Sequence, residues 1–257
     1  MVDIHSHILW GVDDGSKSEE MTLNMLRQAV KCGTSKIVAT PHFLRGHYEI
    51  AQGELKNNLK KIKELAEKNN INLSIYLGQE VYYTEKILDY YNEGLIGTIN
   101  GSRYMLIEFP IRDFSTTEIL DNLYELQIKG IVPVIAHPER YIKFIREPRL
   151  INRFIREGYL FQLNSGSIEG KFGKDVKKLA ETFLENKIYS FIGSDAHRDE
   201  KRNTDISEGI KIIKKIDDSY LRALRNNGEK LLNNEEVEFF GEQIKPKKKG
   251  LFGIFRK

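Results

Sequence analysis

Val132-Pro133-Val134-Ile135-Ala136-His137-Pro138-Glu139-Arg140 sets a short apolar run directly ahead of a histidine, a proline and two charged residues. Such a run is too short for a buried helix and has the composition of a strand covered on both faces, so a strand is predicted over 132–136 with His137 just past its end. The same arrangement recurs outward in both directions. Strand-like runs fall at about 2–4, 36–40, 73–77, 104–107, 160–163 and 189–192, with amphipathic segments between them. Alternation of this kind predicts βα units and a parallel sheet in an α/β fold. Seven units point to a closed or nearly closed barrel, with an open doubly wound sheet as the alternative.

Local signals punctuate the same pattern. Ser16-Lys17-Ser18-Glu19 and Ser115-Thr116-Thr117-Glu118 each fit a capping box, and Gly33, Gly130 and Gly158 sit where helices should stop. A helical stretch is predicted over 205–238. The Gly166-Ser167-Ile168-Glu169-Gly170-Lys171 segment lacks the spacing of a phosphate-binding loop and reads as a turn.

Composition narrows the class. The chain has 257 residues, 30% charged and 40% hydrophobic, with 6 prolines, which excludes a disordered, collagenous or membrane-spanning protein. One domain over 1–244 is expected, followed by a basic-aromatic tail over 245–257. The formal charge of +3 is local: without the tail, 34 basic face 37 acidic residues, which argues against nucleic-acid binding by the body. No leader or long apolar stretch is read, so a cytoplasmic location is expected. The tail is a candidate for docking to a membrane surface or to a kinase, against a solvated end as the plain alternative. The lone Cys32 has no partner for a disulfide and is expected to be a buried structural thiol near a helix end.

The informative feature is where ligand-type residues fall. His5 and His7, His42, Glu80, Glu108, His137, and Asp195 with His197 each lie at or just past the end of a predicted strand. In a parallel barrel those ends form one rim, where active sites are built. A lone histidine at a strand end is more often a capping or core residue, but eight coincidences on one rim outweigh that reading. Imidazoles and carboxylates without thiolate suit Mn²⁺, Zn²⁺ or Fe²⁺ better than Mg²⁺ or Ca²⁺. So many ligands imply two or three ions, a cluster suited to supplying hydroxide for displacement at phosphorus. Arg140 and Arg202 stand three and five residues past ligand histidines, placed to bind a phosphoryl group through bidentate contacts.

The motifs Asp3-Ile4-His5-Ser6-His7, Val12-Asp13-Asp14-Gly15, Ala39-Thr40-Pro41-His42, Gly78-Gln79-Glu80, Leu106-Ile107-Glu108-Phe109-Pro110, Ala136-His137-Pro138-Glu139-Arg140 and Ser194-Asp195-Ala196-His197 closely resemble the polymerase and histidinol phosphatase (PHP) superfamily. Within it they resemble the CpsB/CapC/YwqE group of bacterial protein-tyrosine phosphatases. The resemblance implies a distorted (β/α)7 TIM-like barrel and a manganese site of three ions, with Fe²⁺, Zn²⁺ or Co²⁺ as substitutes. It assigns His5, His7, Glu80 and Asp195 to one ion, Glu80, Glu108 and His137 to a second, and Asp14, His42 and His197 to a third. It selects Asp14 over Asp13, which the residues alone do not. The implied substrate is the tyrosine-phosphorylated C-terminal cluster of a bacterial tyrosine kinase that governs capsule or exopolysaccharide synthesis. The expected reaction is attack of a metal-bridging hydroxide on phosphotyrosine, with Asp199 as one candidate proton donor. Some relatives carry a second histidine where this chain has Phe43, with His47 and Arg45 nearby in the same loop. The competing readings are a small-molecule phosphatase of the histidinol-phosphate type, a PHP nuclease, and a non-catalytic kinase-binding module.

Overall fold

A computed structural model describes residues 1–246 of the 257. Among the described residues nine parallel strands build the centre: β1 Val2–Ser6, β2 Lys36–Ala39, β3 His42–Phe43, β4 Ser74–Leu77, β5 Glu80–Tyr82, β6 Tyr104–Glu108, β7 Val132–Ala136, β8 Leu160–Asn164 and β9 Phe191–Gly193. They form one sheet in the order β1-β2-β4 and another in the order β3-β5-β6-β7-β8-β9. Nine strands arise where seven runs are predicted because two of those runs are interrupted. At Pro41, which has no N–H to donate, the second predicted strand breaks and resumes as β3. At Gly78-Gln79 the third breaks and resumes as β5. Each break carries the chain from one sheet to the other, and β3 pairs with β5 so that His42 stands opposite Glu80.

β1 ties the two sheets into one curled parallel half-barrel of TIM-like type. It pairs with β2 along one edge. On its other side the His7 N–H donates to the Ala196 carbonyl at 2.8 Å and the Asp195 N–H donates to the His5 carbonyl at 2.8 Å. Alternation along the strands sorts the core. Tyr104 and Leu106 of β6 and Val134 and Ala136 of β7 fill the interior together with Val2, Ile4, Val38 and Phe191. Met105, Ile107 and Ile135 point the other way, toward the helices. Helix Asp218–Leu232 closes one end of the interior with Leu231 and Leu232.

Most of the helix punctuation follows the sequence. Ser115 accepts from the Glu118 N–H as an N-cap, and Gly33, Gly130 and Gly158 adopt φ of 88°, 80° and 77° at helix ends. Ser16 does not cap. Ser18 accepts from the Met21 N–H instead, while the Ser16 hydroxyl is buried against Thr22 at 2.8 Å. The predicted final helical stretch is two helices, Ser207–Ile216 and Asp218–Leu232, broken at an extended Asp217. Segment 166–171 is not an open turn; it begins inside the one-turn helix Ser165–Glu169. Cys32 is only partly buried. No helix among the described residues is long and apolar enough to cross a membrane. Of the expected tail, residues 247–257 lie outside the described residues.

Candidate metal centre

Strand geometry brings the nine candidate ligands to one rim. His5 and His7 alternate along and just beyond β1, so their Nε2 atoms meet at 3.2 Å. Glu80 opens β5, His42 opens β3 and Glu108 closes β6. His137 and Asp195 follow β7 and β9 in left-handed backbone, at φ of 30° and 51°. Left-handed conformations cost free energy in residues with side chains and persist where surrounding structure enforces them, as at functional sites.

Glu80 is the hub. Its Oε2 lies 3.1 Å from His5 Nε2, 3.3 Å from His7 Nε2 and 3.1 Å from His42 Nδ1, and its Oε1 lies 2.9 Å from His137 Nε2. Asp195 Oδ1 is 3.7 Å from His5 Nε2 and 3.6 Å from His7 Nε2. Asp14 Oδ1 is 3.5 Å from His42 Nε2 and 3.4 Å from His197 Nε2. Three groups of donor atoms fall within 4.8 Å of one another: His5, His7, Glu80 and Asp195; His7, Asp14, His42 and His197; and His42, Glu80 and Glu108. The first is the set the sequence resemblance assigns to one ion, and the second adds His7 to another. The third contains His42 with Glu80 and Glu108, while His137 approaches the same two carboxylates at 2.9 and 3.6 Å.

An outer layer sets the imidazole tautomers. His5 Nδ1 meets Gln162 Oε1 at 2.9 Å, His7 Nδ1 meets Asp13 Oδ2 at 2.7 Å and His197 Nδ1 meets the Asp195 carbonyl at 3.0 Å. An acceptor at Nδ1 favours a proton there and turns Nε2 of all three rings toward the centre. Against the effect of burial, Glu80 raises His5 and Asp13 raises His7 above the usual imidazole value, so in the absence of cations these carboxylates draw positive charge onto the two rings. Yet Glu80 Oε2 and Asp14 Oδ1 are buried with no hydrogen-bond donor. Carboxylate oxygens left without hydrogen-bond partners among converging imidazole nitrogens are an arrangement that cations satisfy, so these residues fit a divalent metal cluster.

Electrostatics supports the same fit. Burial, then the positive field of Arg140, pushes His137 down to about 4; burial, then His7, pushes His197 down to about 4, so both rings are neutral near pH 7. Burial and repulsion from Glu80 push Glu108 up to about 9. Burial alone would raise Glu80 too, but the neighbouring His5 and His42 hold it well below the usual carboxylate range. Carboxylates packed this closely ionise together only beside added positive charge.

Both arginines arrive at the cluster. Arg140 donates to Asp195 Oδ2 at 2.7 Å and Arg202 donates to Asp195 Oδ1 at 2.8 Å. Of the other loop residues, His47 is exposed, Arg45 pairs with Glu49 at 2.8 Å, and Asp199 accepts from Asn24 at 3.0 Å. Several supporting residues escaped the sequence reading. Asp13 accepts from the N–H groups of His42 and Gly15 besides holding His7. Arg198 donates to the carbonyls of Asp14, Gly15 and His197 at 2.5, 2.8 and 2.6 Å, joining the loops that carry Asp14 and His197. Asn164 donates to Asp195 Oδ2 at 2.7 Å, and buried Glu139, pushed up to about 7 by desolvation, accepts from the Asn164 N–H at 3.0 Å. Gln162 and Asn164 did have a signal, as polar residues two apart in an otherwise apolar buried strand.

Fold and site define a class: α/β proteins that gather imidazoles and carboxylates at the carboxyl ends of parallel strands, with arginines beside them. The chain belongs to the capsular polysaccharide synthesis CpsB/CapC family, whose model matches residues 1–233. It is 36% identical over 244 residues to the putative tyrosine-protein phosphatase CapC of Staphylococcus aureus, covering 92% of this chain and 93% of that one. It is 35% identical over 258 residues to the tyrosine-protein phosphatase YwqE of Bacillus subtilis, covering 99% and 100%. It also superposes with a TM-score of 0.91 and 31% identity on a solved chain from work on Bacillus subtilis YwqE and Streptococcus pneumoniae CpsB, described as unique metal-dependent tyrosine phosphatases. That match covers 96% of this chain and 100% of the other.

Proposed function

We propose that this chain is a metal-dependent protein-tyrosine phosphatase acting in capsule or exopolysaccharide synthesis. The observation that carries the reading is Glu80 Oε2, a buried carboxylate oxygen without a donor and within 3.3 Å of three imidazole nitrogens, in a cluster whose Asp195 is bonded by two arginines. His5, His7, Asp14, His42, Glu80, Glu108, His137, Asp195 and His197 are the proposed ligands, for three Mn²⁺ ions. Bound divalent ions supply Lewis acidity at phosphoryl oxygens and bring the pKa of water toward neutrality. The protein's own groups do the rest. Arg140 and Arg202 bind the phosphoryl oxygens, and the Arg202 Nε–H, buried with no acceptor, is a donor kept for that purpose. Neutral His137 and His197 keep their lone pairs available near pH 7. A phenolate of pKa about 10 leaves with modest proton assistance.

The two sheets read as one distorted (β/α)7 barrel, a reading supported by the hydrogen bonds that join β1 to the segment after β9. Residues 1–244 form the catalytic domain and 245–257 a basic tail. The substrate is the tyrosine-phosphorylated C-terminal cluster of a bacterial kinase, met in the cytoplasm at the inner face of the membrane, where the basic tail adds attraction to anionic lipid.

The test is a substrate panel with Mn²⁺ add-back. A phosphotyrosine peptide is expected to turn over in preference to histidinol phosphate, phosphoserine peptide and single-stranded DNA. Activity should fall by on the order of 10²-fold or more in His7→Ala and Arg140→Ala. Near wild-type rates in both variants, or preference for another substrate, would overturn the assignment.

A further inference from the structure

Arg140 and Arg202 share a second partner besides Asp195. The guanidinium carbon of Arg140 lies 4.7 Å from the centroid of the Phe172 ring and that of Arg202 lies 5.9 Å from it. We infer that Phe172 is a positioning residue for phosphate, holding the two guanidinium groups side by side so that their free N–H donors face the phosphoryl oxygens. This rests on the reading of Arg140 and Arg202 as the phosphoryl-binding pair.

Two cations so close need compensation: Asp195 is the carboxylate that bonds both, and Glu108, Glu80 and Glu139 also attract Arg140 through space. Asp195 is also heavily used, with Oδ2 accepting from both Arg140 and Asn164 and Oδ1 from Arg202. The face of an aromatic ring attracts both cations through its quadrupole. It does so without accepting in-plane N–H bonds. A second carboxylate in its place would hold the arginines but consume the donors that an oxyanion requires.

The loop around Phe172 is built to fix the ring. Gly170 and Gly173 flank it at φ of 90° and 98°, the left-handed region that glycine enters freely. A Cβ on Gly166 would stand 3.0 Å from Phe172 Cε2, so the ring packs on a bare backbone. The Lys171 N–H closes the loop onto the Gly166 carbonyl at 2.9 Å. The glycine-bearing stretch from Gly166, unfit to cradle phosphate itself, thus cradles the ring that aims the arginines.

In the metal-loaded protein, Phe172→Leu keeps an apolar side chain without the quadrupole and Phe172→Tyr keeps the ring. Expected in Phe172→Leu is a ~3- to 10-fold rise in both the KM for a phosphotyrosine peptide and the inhibition constant of inorganic phosphate, with kcat changed less. Phe172→Tyr should restore both. Unchanged phosphate inhibition in Phe172→Leu, or equal loss in Phe172→Leu and Phe172→Tyr, overturns the inference. Arg140→Ala, measured alongside, separates the two levels. If it weakens phosphate inhibition while Phe172→Leu does not, only the positioning role fails; if it leaves inhibition unchanged, the phosphate-site reading fails with it.

Discussion

Asp13 and Asp14 stand next to each other in the chain and do different work. Asp14 offers Oδ1 to the cluster, whereas Asp13 turns inward at 7% exposure and fixes His7 through Nδ1. Both are carboxylates in a loop, so residue type alone could not rank them; the direction each side chain takes decides. Removing a carboxylate that orients a metal-ligating imidazole usually costs 10- to 100-fold in metal affinity or activity. Asp13→Ala is therefore expected to weaken Mn²⁺ binding by about that factor while Asp13→Asn, which keeps an acceptor, loses less. Titration of metal-free protein with Mn²⁺ measures it, and equal affinity in Asp13→Ala and wild type would refute the role. Gln162 and Asn164 belong to the same layer, and their positions in an apolar strand were a readable sign of it.

Strand ends make the site, and strand packing sets how tightly. β9 passes β1 so closely that a Cβ on Gly193 would lie 2.6 Å from His5 Cβ and 2.9 Å from Gln162 Nε2. Glycine here is a matter of space between neighbouring strands. Gly193→Ala must push β1 outward or tilt His5 away from Glu80, and overpacking of this kind costs about 1–3 kcal/mol. The variant should melt several degrees lower and hold less Mn²⁺ after dialysis; wild-type melting and metal content together would show that the strands tolerate the methyl group. The breaks before β3 and β5 act at the same scale. Pro41 breaks a strand through a local property, its missing N–H, but that β3 would re-enter a different sheet, with His42 opposite Glu80, depends on pairing between residues far apart in the chain.

At the scale of the molecule the candidate ligands span both sheets of the half-barrel. His5 and His7 come from one sheet, His42, Glu80, Glu108 and His137 from the other, with Asp195 and His197 beyond β9. Cations shared among them would cross-link these parts and add stability by mass action, about 4 kcal/mol per ion at a thousandfold excess over Kd. For a domain of this size ~1 kcal/mol shifts Tm by ~2–4 °C. Chelation is therefore expected to lower Tm by on the order of 10 °C, with recovery on Mn²⁺ return. A melting curve indifferent to chelator would contradict a cluster that bridges the sheets.

Sequence alone carries the α/β class, most of the strands, and the place of the candidate ligands at strand ends, because hydrophobic periodicity and side-chain identity are local properties. It also carried both arginines, since each follows a ligand motif within a few residues. The tertiary structure decided which strands meet, the switch of β3 and β5 between sheets, the division of labour between Asp13 and Asp14, and the convergence of Arg140, Arg202 and Phe172. Those depend on distances between residues far apart in the chain, and such distances are fixed only when the strands curl and the core packs around them.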